Sequence, residues 1–132
     1  MKFILVCLLL VSSSVFAANC NELFREGAGY YKLGVTEAKG AQYHLELAAD
    51  ESNRPNPSMT VVCRKLRMAK KAFNTAIGYY NDCYWTFSAA ANVCTGQNSN
   101  TARNNQTICS EEEGRETGNR DKVIDYLAQL CR

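Results

Sequence analysis

The residues of this chain whose types could do chemistry are its cysteines, one histidine, three consecutive glutamates, a tyrosine-rich group and a short run of cations. Seven cysteines are present, and Cys7 falls within residues 1–17. There a single charge, Lys2, precedes a nearly unbroken apolar run over 3–10, and Val15, Phe16 and Ala17 close the segment. Charge, apolar run and small residue in that order are the pattern of a cleavable signal peptide. The apolar run is shorter than the roughly 20 residues that a membrane span needs.

Cleavage after Ala17 leaves Cys20, Cys63, Cys83, Cys94, Cys109 and Cys131. An even set of cysteines in a chain sent to an oxidising compartment is expected to form disulfides, here three. No two of the six stand in a C-x-x-C pair, so the spacing points away from a zinc site. No cofactor is expected. Cys20 lies close to the cleavage point, but Asn19 before it does not suit lipoprotein processing, which wants a small residue.

His44 is the single histidine. A general acid or base needs a nucleophile or second titrating group in reach, and none stands at helical spacing from it, so no enzymatic activity is expected. Glu111, Glu112 and Glu113 follow Ser110, which reads as a capping box with acids compensating a helix dipole rather than as a catalytic pair. Tyr30, Tyr31, Tyr79, Tyr80, Tyr84 and Trp85 concentrate aromatic mass near one end of the fold. Core packing is the leading reading for them, with an exposed contact surface or a slot for a small apolar or aromatic ligand as alternatives. Arg64, Lys65, Arg67, Lys70 and Lys71 put five cations into eight residues. Arg64, Arg67, Lys70 and Lys71 are candidates for anion binding, but pairing with Glu46, Asp121 and Asp125 is the favoured use. No aromatic interleaving supports nucleic acid as a partner. Losing Lys2 with the signal lowers the formal charge from +2 to +1, so bulk electrostatics name no partner.

Three elements must position these groups. Over 21–51 no proline occurs, and Phe24, Ala28, Tyr31, Val35, Ala38, Gln42, Leu45 and Ala49 recur in steps of three and four, the mark of a long helix. Beside them Gly27, Gly34, Ala41 and Ala48 repeat every seven residues and would let a second helix approach closely. The segment 52–58, with Pro55 and Pro57, ends that helix, and Ser58 can cap the next. Val62, Leu66, Ala69, Phe73, Ala76, Tyr80, Cys83, Phe87, Ala90 and Cys94 then mark a helix of about 36 residues. The polar stretch 95–107 reads as a loop, with Asn105 heading a glycosylation acceptor. A shorter third helix is expected from Ser110, broken near Gly118.

Two long helices joined by a short turn lie antiparallel, so facing residues have numbers that total about 110. The repeated triplets Gly29-Tyr30-Tyr31 and Gly78-Tyr79-Tyr80 meet at that register. It favours Cys20 with Cys94, and a returning third helix favours Cys83 with Cys109 and Cys63 with Cys131. Cys20 with Cys83 and Cys94 with Cys109 is the alternative. The expected fold is therefore all-α: an antiparallel bundle of two long helices with a shorter third, coiled-coil-like and disulfide-stapled. Residues 18–132 form one domain. The expected function is that of a secreted or periplasmic, non-enzymatic protein presenting a rigid surface to a protein or cell-envelope partner, with carriage of a small apolar ligand as the alternative. No transmembrane segment is expected after signal cleavage.

Overall fold

The structure, a computed structural model, describes the chain from residue 2 and its side chains from residue 19. The signal-peptide reading of 1–17 falls outside the residues described in that detail. Among the described residues three helices make up the fold: α1 (Lys2–Ser52), α2 (Met59–Val93) and α3 (Gly96–Leu130). α2 lies between the other two and packs along both, whereas α1 and α3 scarcely touch. Among the described residues no helix is long and apolar enough to cross a membrane.

α2 forms where its apolar period is strongest. All ten positions of its three-and-four stripe are buried, from Val62 to Cys94, with Phe73, Tyr80 and Cys83 sealed from solvent. On α1 the small residues face this stripe. A methyl group on Gly27 would lie 2.8 Å from the Phe87 ring, and one on Gly34 would lie 2.8 Å from the Tyr80 ring. Ala41 and Ala48 continue that buried row toward the turn. The Gly27–Phe87, Gly34–Tyr80 and Cys20–Cys94 pairs share one register, with numbers totalling 114. The helices therefore run antiparallel, a turn deeper than the centre of the connection suggests.

The turn is held by one buried carboxylate. Glu51 accepts the Ser58 backbone N–H at 2.9 Å and pairs with Arg54 at 2.8 Å. Ser58 occupies the N-cap position, but its hydroxyl makes no capping bond. Its carbonyl instead receives the N–H groups of Val61 and Val62. Glu51 thus brings negative charge to the start of α2, where the helix dipole favours it. Glu51→Ala removes the acceptor and leaves the Ser58 N–H without its partner. It should lower stability by about 1–3 kcal/mol, read as a fall in thermal midpoint with helix content at low temperature unchanged.

α3 departs from expectation at three points. It starts at Gly96 rather than Ser110, so the polar stretch is helix and not loop. Only Cys94 and Thr95 separate it from α2, and the reversal uses Gly96 at φ +57°, a conformation that costs glycine little. The serine and glutamates at 110–113 accordingly lie inside the helix and cap nothing. The helix is also unbroken at Gly118, because Gly114 and Gly118 face open space and an exposed helical glycine costs only up to about 1 kcal/mol. At 35 residues α3 equals α2 in length instead of being shorter. Its contact row is Ala102, Cys109, Glu116 and Val123, one buried residue every seven. Ser99 fastens its first turn by donating to the Ala91 carbonyl at 2.7 Å.

Three disulfides staple the layers: Cys20–Cys94 joins α1 to the end of α2, while Cys83–Cys109 and Cys63–Cys131 join α2 to α3. These are the pairs that the antiparallel register favours. Disulfides form and persist in oxidising compartments, which suggests an extracytosolic setting for this chain.

Candidate binding trough

Because α1 and α3 flank α2 and scarcely touch each other, they leave a trough along one side of the molecule. Three cavities follow it in sequence. Near the turn, Leu45, Ala49, Val62, Leu66, Tyr126 and Leu130 line one of about 370 Å³. Tyr31, Val35, Phe73, Tyr80, Glu112 and Arg115 line one of about 380 Å³ at mid-length. Ala28, Phe87, Asn105 and Ile108 line a third of about 270 Å³. Gln42 borders the first two and Tyr31 the last two, so the cavities follow one another along the trough. Its α1 wall runs from Ala28 to Ser52, about 36 Å at the helical rise.

Beneath the trough α2 supplies Leu66, Phe73, Tyr80 and Phe87, spaced by seven and almost wholly covered by the flanking side chains. The α1 wall carries the three-and-four stripe of that helix. None of Phe24, Ala28, Tyr31, Val35, Ala38, Gln42, Leu45 and Ala49 is fully buried, but Phe24, Tyr31 and Leu45 pack partly buried against the core, in keeping with the core reading of Tyr31. The reason is steric: only the glycine and alanine row lets the two backbones approach, so the larger side chains are rotated to the flank. Phe24 and Tyr31 still touch the α2 row edge-on, with ring centroids 5.6 Å from Phe87 and 5.8 Å from Tyr80.

The α3 wall is polar at mid-length. Glu116, only 3% exposed, accepts from Arg115 Nε at 3.0 Å and from Asn119 Nδ2 at 3.0 Å. Arg115 also donates through Nη1 to Glu112 at 3.0 Å, so one guanidinium joins two carboxylates. The buried charge is thereby paired and hydrogen-bonded, as burial requires. Sequence reading passed over this group, although its spacing of three and four residues along one helix face was the available signal.

Beneath it Tyr80 is fully buried, and its hydroxyl has no hydrogen-bond partner. Burial first, then the Glu112 and Glu116 carboxylates, push its pKa up to about 12. A phenol pKa above its unfolded value near 10 contributes stability that is complete below pH 10 and lost as pH rises toward 12. Alkaline titration followed by tyrosinate absorbance should therefore show one late phase that coincides with unfolding. That phase should vanish in Tyr80→Phe; its persistence would assign it to another tyrosine.

The other aromatic residues do not join this surface. Tyr30 and Tyr79 are half-buried, with the Tyr30 hydroxyl donating to Glu26 at 3.4 Å. The Glu26 charge raises the Tyr30 pKa, with smaller contributions from partial burial and Asp82. Tyr84 meets Trp85 edge-on at 5.2 Å, and Trp85 is 62% exposed. Of the six aromatics, Tyr80 is core, Tyr30, Tyr31 and Tyr84 pack partly buried against the core, Tyr79 is half-buried and Trp85 lies on the outer surface. His44 is half-buried against Tyr43, and its Nδ1 has no hydrogen-bond partner.

The cations also depart from expectation. Among the described residues Arg64, Lys65, Arg67, Lys70 and Lys71 make no ion pair. Glu46 lines the trough beside Val62 and Leu66. Arg64 is two residues from each of these, about 200° around α2, and so points away from Glu46. Asp121 pairs with Arg120 at 2.8 Å instead. Also among the described residues, no group of three or more His, Cys, Asp or Glu is placed to hold a metal ion. No protein-family model, no curated protein and no solved structure matches the chain.

Proposed function

We propose that this protein is a secreted or periplasmic, non-enzymatic binding module whose working part is the trough, and that the trough receives an amphipathic helix of a macromolecular partner. The observation that carries this reading is the α1 stripe: eight positions in helical period, mostly apolar, none of them fully buried and the largest only partly covered by the core. A stripe of that kind is ordinarily matched by another helix. α1 and α3 both pack along α2 and scarcely touch each other, as diagonal members of a four-helix arrangement do, so a partner helix laid between them would complete the fourth corner. The three disulfides and the signal-like N-terminus support an extracytosolic setting.

Val35→Glu places a charge in the middle of the stripe at a half-buried site, while Thr75→Glu changes an exposed residue on α2. In the native host the first should reduce recovery of a specific partner at least ten-fold and the second should not. Equal recovery with both would refute the trough as the docking site. A second reading is favoured by the mid-length cavity: about 380 Å³ is within the range of small-ligand sites, and the Tyr80 hydroxyl is unpartnered there. Carriage of a small aromatic or apolar ligand predicts a bound compound in organic extracts of the native protein, absent from Val35→Glu.

A further inference from the structure

The five cations of α2 stand apart from the trough. Arg64, Arg67 and Lys71 are exposed, and Lys65 and Lys70 flank them half-buried. Arg64 and Lys71 are four residues before and three after Met68, so the methionine lies between them on one helix face. Met68 is 41% exposed, an apolar side chain set among positive charges. Among the described residues no acid pairs with the group: Glu46 faces the trough, Asp121 is paired with Arg120, and neither Asp50, opposite Arg64 in the register, nor Asp125 makes an ion pair. The formal charge of +2 for the whole chain is small, so this face is a local concentration rather than a share of a general excess.

We propose that the outer face of α2 around Met68 is a peripheral docking surface for an anionic, phosphate-bearing lipid membrane. Cations held near such a surface are each worth about a five-fold gain in binding, and long side chains such as Lys65 and Lys70 can cover apolar surface while extending their charges. Met68 gives the patch what a free polyanion would not use: an apolar group able to enter the boundary between headgroups and acyl chains. This surface lies on the side of α2 away from the trough, so a docked module would keep the trough open to its partner.

The test is co-sedimentation of the mature protein with phosphatidylcholine vesicles, with and without about one-third phosphatidylglycerol, over a salt series. Binding should require the anionic lipid and weaken as salt rises. Arg64→Glu with Lys71→Glu should lower it at least ten-fold. Met68→Ser should lower it several-fold while leaving the salt dependence and retention on heparin unchanged. Val35→Glu in the trough should have no effect. Absence of binding to anionic vesicles at low salt would overturn the proposal. So would vesicle binding indifferent to Met68→Ser alongside equal retention on heparin, which would reassign the face to soluble polyanions. All three altered positions on α2 are exposed, and unchanged melting curves would verify that folding is intact.

Discussion

Reducing the three disulfides should abolish the cooperative thermal transition of this protein. Closing loops of 74, 68 and 26 residues restricts the unfolded chain by about 4.4, 4.4 and 3.5 kcal/mol respectively at 25 °C on the chain-entropy estimate. The loops overlap, so the contributions do not simply add. Even half their total is comparable with the 5–15 kcal/mol that typical domains have in all. This fold is especially dependent on them because α1 and α3 scarcely touch each other, and the larger apolar residues of α1 pack only partly buried at the edge of the core. Circular dichroism at increasing temperature, with and without a phosphine reductant, is the check. A midpoint lowered by less than about 5 °C would mean that the two helix interfaces suffice alone, since that corresponds to only about 1 kcal/mol.

Gly34→Ala should destabilise although alanine is the better helix former. The added methyl would lie 2.8 Å from a ring that is completely buried and cannot swing away. Forcing the helices apart costs about 1–3 kcal/mol, against a propensity gain of up to about 1 kcal/mol. Gly34→Val should cost more. Gly29→Ala and Gly40→Ala supply the contrast, because nothing lies within 4 Å of a methyl at either site. Those two should stabilise by up to about 1 kcal/mol. Urea unfolding at constant m-value reads the sign directly, and the same sign for Gly34 and Gly29 would refute the close approach of α1 to α2.

α2 was legible in the sequence because its core row is written in large apolar residues and cysteines that leave no competing face. The turn was equally clear, although Glu51 rather than the Ser58 side chain holds it. α1 was harder because it carries two parallel rows. Hydrophobicity favours the larger row as core, and only the geometry of approach selects the glycine and alanine row. The first half of α3 was hidden for a related reason. Its contact row is a single residue every seven, and two of the four are Ala102 and Glu116, which leave no apolar signature. The cysteine register supplied the levels of the helices but not the rotation of each side chain about its axis. Cys63, Cys83 and their partners were therefore identifiable, whereas the pairing expected between Arg64 and Glu46 was not sound: in the observed register the two are a turn apart, and they face opposite ways.

The trough is the central claim, and site-specific photo-crosslinking in the native host tests it most directly. A benzophenone side chain replacing Ala38, on the α1 wall, should capture one specific partner by a helical segment, identified by mass spectrometry of the crosslinked peptide. The same probe replacing Thr75, exposed on α2, should not capture that segment. Capture of the same segment with equal yield from both positions, or no specific adduct from Ala38, would contradict the account.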